Sequence, residues 1–297
     1  MTEFLHVDSR KFAVFHTIYT DSGILSRFDW NESVDGAIDG LSDKSGLFMY
    51  DDTRLMGGFS LKDNTISYPF VVPPFDDRRA FWHIILHYAT RTSGQNEILL
   101  REIPESAAHT LTQSCGATLR WSNRRMCRPT ELCAYALTDG FCFDSLIEED
   151  KSEIARVVYE AHAAGYTSTV RPPDLNEIEE AVDRRFRLFG QTDTLCMSNL
   201  VRDAATREIA GVCIAGIYPG PAHYSTSNFS TIHQVSVKPE YRRKGIARAM
   251  ICKAINEASA ISSVITLGVL IGNPAEILYR DVGFAPGPRY SELVCTL

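Results

Sequence analysis

Val235-Ser-Val-Lys-Pro-Glu-Tyr-Arg-Arg-Lys-Gly-Ile-Ala-Arg-Ala-Met-Ile251 is the stretch on which the fold of this chain turns. A β-type run ends at Val237, a polar loop with Pro239 and Gly245 follows, and an apolar helical pattern begins at once. A loop that runs into a helix start aims unpaired backbone N–H groups and the positive end of the helix dipole at one spot, which is the physics of an anion site. Gly245 lets backbone approach a phosphate, and Arg242, Arg243 and Lys244 add positive charge. A pyrophosphate suits such a place.

Outward from this loop, periodicity predicts a strand over 140–146, a helix over 151–164 with Ile154, Val157, Val158 and Ala161 on one face, and an acidic helix from Pro173 to about residue 188. Strands over 195–202 and 209–217 are joined by a polar turn, an irregular stretch fills 218–230, and a strand covers 231–237. A helix over 246–259, a strand over 264–270, a short helix over 274–281 and a strand over 290–297 complete the second half. The first half has a similar order. Helices are expected over 9–20 and 34–41, then a hairpin of 46–50 with 55–61, a strand over 65–72, a helix over 79–92, a strand over 98–102 and a helix over 104–114. Self-similarity at a period longer than any solenoid unit points to a duplicated domain. The chain of 297 residues is long enough for two cores. We place the seam between residues 128 and 144, giving domains 1–135 and 136–297.

Composition narrows the function. Hydrophobic residues make up 44% and charged residues 23%, as in globular proteins, so disordered, collagen-like and rod-like chains are excluded. No apolar run approaches the roughly 20 residues that span a bilayer, and the start MTEFLHVDSRKF lacks the order of a secretory signal. A cytoplasmic location without membrane partners is expected. The net charge of −7, divided almost evenly between the halves, argues against nucleic acid as a partner and favours a cationic one. The eight cysteines form no C-x-x-C pair and read as reduced packing residues. His83-x-x-x-His87 has a metal-like spacing, but no carboxylate or cysteine nearby completes a ligand set, so no metal is expected.

The R-x-x-G-x-A spacing from Arg242 to Ala247 resembles the acetyl-coenzyme A signature of the GCN5-related N-acetyltransferase (GNAT) superfamily. Further on, Asn273-Pro-Ala-Glu-Ile-Leu-Tyr-Arg-Asp-Val-Gly-Phe284 resembles that superfamily's motif N-x-x-A-x-x-L-Y-x-x-x-G-F at every named position. The resemblance implies an α/β (α+β) fold of two tandem GNAT domains, each a mixed, splayed sheet flanked by helices. It also implies acetyl-CoA as co-substrate, entering where the strands 231–237 and 264–270 part. Backbone of Val235, Ser236 and Val237 is then expected to pair with the thioester carbonyl and pantetheine amides. The loop Arg242, Arg243, Lys244, Gly245, Ile246 and Ala247 would carry the pyrophosphate, and Asn273 would touch the pantetheine arm. Tyr279 matches the general acid that protonates the leaving thiolate, a role that suits a phenol at neutral pH. Loss of a proton from the attacking ammonium requires an acceptor. His233 is the first candidate, and a carboxylate of the acidic helix acting through water is another. Strict alternation sets His233 and Val235 on one face and Gln234 and Ser236 on the other, without saying which faces the cleft.

An ungapped overlay sets Val72 on Val237. Asp77 then replaces Arg242, Ala80 replaces Gly245 and Trp82 replaces Ala247; the later helix, laid on its own motif without gaps, sets Ser106 on Asn273 and Thr112 on Tyr279. A carboxylate repels an anion and an indole blocks close approach, so the first copy is expected to be degenerate and without cofactor chemistry. The acceptor is expected to be a small, cationic primary amine met by the acidic helix, with Glu177 and Glu180 as candidate contacts. The chain is similar in layout to two-domain GNAT enzymes with which producers of polycationic peptide antibiotics such as paenilamicin or edeine acetylate their own product. Two alternatives remain at this point: a non-catalytic acetyl-CoA sensor or interaction module, and an acyltransferase acting on a thiol or cell-wall precursor. Binding alone would not need a proton donor at Tyr279.

Overall fold

The computed structural model describes residues 2–19, 41, 45–75, 77–165, 173–217 and 229–296. The expected helix over 34–41 lies outside them except for its last residue, and so does nearly all of the irregular stretch 218–230. The chain divides into two compact units, residues 1–125 with 287–297, and residues 126–286.

Unit 1 contains β1 (Thr2–His6), α1 (Ser9–Tyr19), β2 (Gly46–Asp51), β3 (Arg54–Lys62), β4 (Thr65–Val71), α2 (Arg78–Ser93), β5 (Glu97–Pro104), α3 (Glu105–Ser114) and most of β6 (Thr118–Pro129). Strands β1 to β4 form an antiparallel meander. β4 then runs parallel to β5, in register only at Thr65↔Leu99 and Ile66↔Leu100. One face packs Phe59, Ile66, Ile98 and Leu100 against Phe81, Ile85 and Leu111 of α2 and α3. On the other face α1 sets Phe12 against Phe48 and Phe70.

Unit 2 contains β7 (Phe141–Asp144), α4 (Lys151–Ala163), α5 (Leu175–Gln191), β8 (Asn199–Asp203), β9 (Ile209–Gly216), β10 (Phe229–Val237), α6 (Ile246–Ala258), β11 (Val264–Leu270) and α7 (Ala275–Asp281). The order β7-β8-β9-β10 is antiparallel, and β10 pairs in parallel with β11. β9 is buried along its whole length, so its alternation serves two cores. Val212 and Ile214 face Ile154, Val158, Phe186 and Phe189 of α4 and α5. Cys213 and Ala215 face Met250, Ile251 and Ile255 of α6. Arg202 on β8 ties the start of this sheet to the approach of α4, with Nε 3.0 Å from Asp144 Oδ2 and Nη2 2.7 Å from Asp150 Oδ2.

The observed elements differ from the expected ones at instructive places. Residues Leu195–Met197 form a 3-10 turn and the strand starts at Asn199, because Thr194 Oγ1 accepts from Ile217 N at 2.9 Å and bends the chain first. β6 was not expected, since TLRWSNRRMCRP is half-buried without clean alternation. The largest correction concerns the last strand, β12 (Ala285–Thr296). It pairs antiparallel with β5 from Tyr290↔Pro104 to Thr296↔Glu97, so residues 287–297 belong to unit 1 and not to the expected second domain. Its Leu293 and Cys295 are fully buried in the core of unit 1. All eight cysteines are free, and Cys115, Cys213, Cys252 and Cys295 are buried. Cys196 is exposed, so packing does not account for every cysteine. Among the described residues no helix is long and apolar enough to cross a membrane.

Candidate active site

The site grows from a defect in β10. Its pairing with β9 steps from Ile232↔Ala215 to Gln234↔Ile214, which leaves His233 as the extra residue of a β-bulge. The bulge breaks the alternation expected from sequence. Ile232, Val235 and Val237 pack on the α6 side. Gln234 reaches His162 of α4, and the His233 ring packs on Phe189 of α5 at 5.3 Å between centroids with the planes tilted by 38°, so two successive side chains face the α4 and α5 side. The parallel register with β11 covers only Phe229–Ile232. Beyond it β10 keeps its partner β9 and presents an open backbone edge at Val235, Ser236 and Val237, which is the splay the sequence led us to expect.

A polar network lies behind the bulge. Gln234 Nε2 donates to Ser236 Oγ at 2.8 Å and lies 3.2 Å from His162 Nε2. An amide nitrogen can only donate, so the imidazole accepts through Nε2. Burial, reinforced by the charge of Arg185, holds the His162 pKa below its ordinary 6.5. A neutral imidazole at pH 7 is a competent proton acceptor. Sequence reasoning missed His162, although it lies four residues after Val158 and so falls on the apolar stripe of α4.

The loop after β10 has the backbone of an anion cradle. Arg243 and Gly245 are left-handed, at φ 66° and 76°. Gly245 is the N-cap of α6 and provides no side-chain cap, and the first helical bond runs from Ala249 N to Gly245 O at 3.0 Å. The N–H groups at this helix start are therefore uncapped, and a Cβ on Gly245 would meet nothing within 4 Å. Arg243 is exposed, whereas Ile246 is buried in the core and Ala247 is half-buried. Lys244 Nζ stands over the rings of Phe141 and Tyr241, at 5.4 and 5.2 Å.

Arg242 is where expectation and structure part. Its guanidinium donates to Ala161 O at 2.8 Å, to Ala164 O at 3.4 Å and, through Nε, to Val237 O at 3.3 Å. The side chain therefore fastens the loop to the C-terminal carbonyls of α4 and to the end of β10, instead of adding free charge. Glu177 likewise has another task. Its carboxylate accepts from Asp174 N at 2.8 Å while Asp174 Oδ1 accepts from Glu177 N at 2.9 Å, a capping box at the start of α5. Asp183 is paired with Lys151 and Arg187, while Glu180 is exposed on the same helix.

Two further residues complete the site, one just before α7 and one within it. Asn273 Oδ1 accepts from Ala275 N at 2.9 Å and caps this helix. Tyr279 is 8% exposed among Val282, Phe284 and the α6 residues, and burial pushes its phenol up to about 12. It is thus protonated throughout the neutral range and can give a proton but not take one.

Unit 1 shows what the same architecture looks like without the cradle. At the start of α2, Asp77 Oδ1 accepts from Ala80 N at 2.9 Å, so this helix is capped by its own carboxylate. Trp82 is buried in the core. Yet β4 carries a bulge too: its register with β3 steps from Gly58↔Phe70 to Ser60↔Ser67, with Tyr68 at φ 54°. The overlay that sets Val72 on Val237 sets Tyr68 on His233, so both units keep the bulge at the same place.

Comparison with known proteins agrees with this geometry. The family model described as acetyltransferase (GNAT) domain matches residues 200–286. No curated protein matches the chain. Among solved structures, a GCN5-related N-acetyltransferase from Sphaerobacter thermophilus aligns over 99% of this chain and 95% of its own, at 14% identity and a TM-score of 0.73. A tandem GNAT protein from the clavulanic acid biosynthesis pathway aligns over 99% and 98%, at 11% identity and a TM-score of 0.58. An acetyltransferase from Colwellia psychrerythraea aligns over 99% and 100%, at 11% identity and a TM-score of 0.57. Residues 200–286 thus resemble a GNAT acetyltransferase domain, and the chain shares its mixed α/β fold with GNAT proteins.

Proposed function

We propose that unit 2 is an acetyl-CoA-dependent N-acetyltransferase acting on a primary amine of a small cationic molecule, and that unit 1 takes no part in cofactor chemistry. The observation that carries this reading is the open edge of β10 past Ile232, followed by the start of α6 without a side-chain cap, its N-cap Gly245 in left-handed backbone. Acetyl-CoA, when bound, supplies an acetyl thioester already activated for transfer to an amine. The β10 edge at Val235, Ser236 and Val237 would hold the pantetheine amides, and the amides from Arg242 to Ala247, with Arg243, would hold the pyrophosphate. Asn273 keeps Nδ2 available for the arm while Oδ1 caps α7. Tyr279 holds a proton at Oη for the departing thiolate. His162, kept neutral by burial and oriented by Gln234, and His233 at the bulge are the groups that would accept the proton of the ammonium.

A cationic acceptor is supported by the net charge of −7 and by the exposed Glu179 and Glu180 on α5. Acetylating an amine removes a positive charge, which is how such an enzyme would protect a producer from its own polycationic antibiotic. The test is thiol release from acetyl-CoA against a panel of polyamines, aminoglycosides, basic peptides and simple metabolite amines. It is paired with calorimetric titration of CoA, expected to give one site per chain that Gly245→Trp removes. Two sites, or binding that survives that change, would overturn the cofactor assignment. Robust turnover of a simple amine, with no protection of a sensitive host, would overturn the resistance role alone.

A further inference from the structure

Two cysteines of unit 2 adjoin each other in a setting that the transfer chemistry does not use. Cys252 lies on α6, 2% exposed, and Cys133 packs against the same core from the segment that follows β6. Asn256, one helical turn beyond Cys252, clamps that segment. Its Oδ1 accepts from Cys133 N at 2.7 Å and its Nδ2 donates to Cys133 O at 3.0 Å. Side chains four residues apart on a helix share a face, so the clamp sets Cys133 beside Cys252, and the two thiols come within hydrogen-bonding reach. Burial, and then the adjoining Cys133 thiol, push Cys252 up to about 11, so it keeps its proton at neutral pH and points it at the Cys133 sulfur.

A cation stands against the same sulfur. Arg128 Nη1 donates to Cys133 Sγ at 2.8 Å, while Nη2 donates to Glu131 O at 3.0 Å and Nε to Pro129 O at 2.9 Å, so the fork is fixed in place. The thiolate is the attacking form of a cysteine, and a guanidinium in contact is the partner its charge needs. Cys133 is half-buried and its neighbours Glu131, Leu132 and Ala134 are exposed, which lets a small oxidant reach it. Cys115 and Cys295 of unit 1 are neighbours too, but both are buried, and Cys295 Sγ donates to the Cys115 carbonyl at 3.2 Å.

We infer that Cys133 and Cys252 form a peroxide-reactive pair, with Cys133 attacking and Cys252 resolving. The Cys133 thiolate attacks one oxygen of hydrogen peroxide, the O–O bond breaks and hydroxide leaves. Sulfur is oxidised by two electrons to a sulfenic acid and the peroxide is reduced. The Cys252 sulfur then attacks that sulfur: an S–S bond forms, the S–O bond breaks, and the hydroxyl leaves with the Cys252 proton as water. Closure also reaches α7. Arg128 Nη1 donates to Val282 O as well, at the C-cap of α7, three positions after Tyr279. A disulfide carries no negative charge, so closure takes away one of the acceptors that position Nη1 and holds the end of α7 less firmly.

The test uses the full chain, reduced and then treated with hydrogen peroxide, with thiols counted by alkylation and links mapped by peptide mass spectrometry. Loss of two of the eight thiols is expected, in a linked Cys133–Cys252 peptide that dithiothreitol reverses. In Cys252→Ser, Cys133 should stop at the sulfenic acid and be trapped by dimedone. Arg128→Gln should slow oxidation of Cys133 at least about 10-fold. Arg128 also holds backbone carbonyls, so should that variant fail to fold, the trapping in Cys252→Ser still decides the matter. Oxidation confined to the exposed Cys196, a disulfide joining other cysteines, or a Cys133 no more reactive than Cys196 would overturn the inference. Amide exchange over 275–283 should quicken on closure, and a disulfide that leaves it unchanged would overturn the link to α7 alone. None of these readouts depends on acetyl transfer, so a failure here is distinct from a failure of the transferase reading.

Discussion

Replacing Arg242 by alanine separates the two roles this side chain could have. If it fastens the loop, the loss is felt without any ligand. The bond to Ala161 O, at 2.8 Å, is a full charge-assisted hydrogen bond, worth about 1.5–3 kcal/mol net. The contacts at 3.3 and 3.4 Å are long and add little. A guanidinium at the end of α4 also gains about 0.3–1 kcal/mol from the helix dipole, and partial exposure reduces both contributions. A total near 2 kcal/mol follows, which for a unit of this size lowers the Tm by about 4–8 °C. Hydrogen exchange in the last turn of α4 should quicken in the same variant. Arg242→Lys, which keeps the charge but not the fork, should fall between the two. Thermal unfolding of the free protein and calorimetric titration of CoA measure both effects. An unchanged Tm together with a tenfold loss of CoA affinity would refute the argument and return Arg242 to direct phosphate contact.

Four further outcomes are expected. Tyr279→Phe should keep CoA affinity and lower turnover by about 10²–10⁴, as loss of a general acid does, and an unchanged rate would transfer the role to water. Because burial raises the phenol from 10.0 to about 12, its stabilising protonated state is complete below pH 10 and is lost as pH climbs through 12, so Tyr279 should impose no alkaline limb on the rate below pH 10. His162 is depressed below 6.5, so its contribution to stability is present above that pH and lost as pH falls through its folded value; an acidic limb of the rate profile that His162→Asn leaves in place would remove it as the base. On α5, Glu177→Ala should cost about 1 kcal/mol through the capping box, while Glu180→Gln should weaken use of a cationic amine at low salt with no change in melting; equal effects of both on KM would contradict this division.

How much of this was legible beforehand varies with the range of the interaction involved. The loop at Gly245 was readable because a strand, a glycine and a helix start are contiguous in sequence. The capping box was readable too, as Asp174-x-x-Glu177, but its second carboxylate was read as a contact for substrate. The bulge at His233 was not, since it exists only in the mismatch between β10 and β9. Alternation counted along one strand then groups His233 with Val235, whereas the bulge puts them on opposite sides. Nor could the charge of Arg242 announce its partners, which are carbonyls far away in the sequence on α4. β6 escaped notice because a polar strand has no hydropathy signal to give. The final strand was recognised as a strand and assigned to the wrong unit, because strand periodicity says nothing about which neighbour it joins.

That final strand also fixes the timing of folding. A ribosome delivers residues 126–286 as one continuous stretch, so unit 2 can close while the chain is still growing. Unit 1 begins first but lacks Leu293 and Cys295 until the closing residues emerge, and its β5 edge must wait for them. The amino-terminal unit is therefore completed last, a reversal of the usual vectorial order. Removing residues 287–297 would leave every element of unit 2 from β7 to α7 in the chain and deprive the other unit of two core side chains and a strand. Unseating this strand would also take Glu292 away from Arg101 and Arg120 within unit 1.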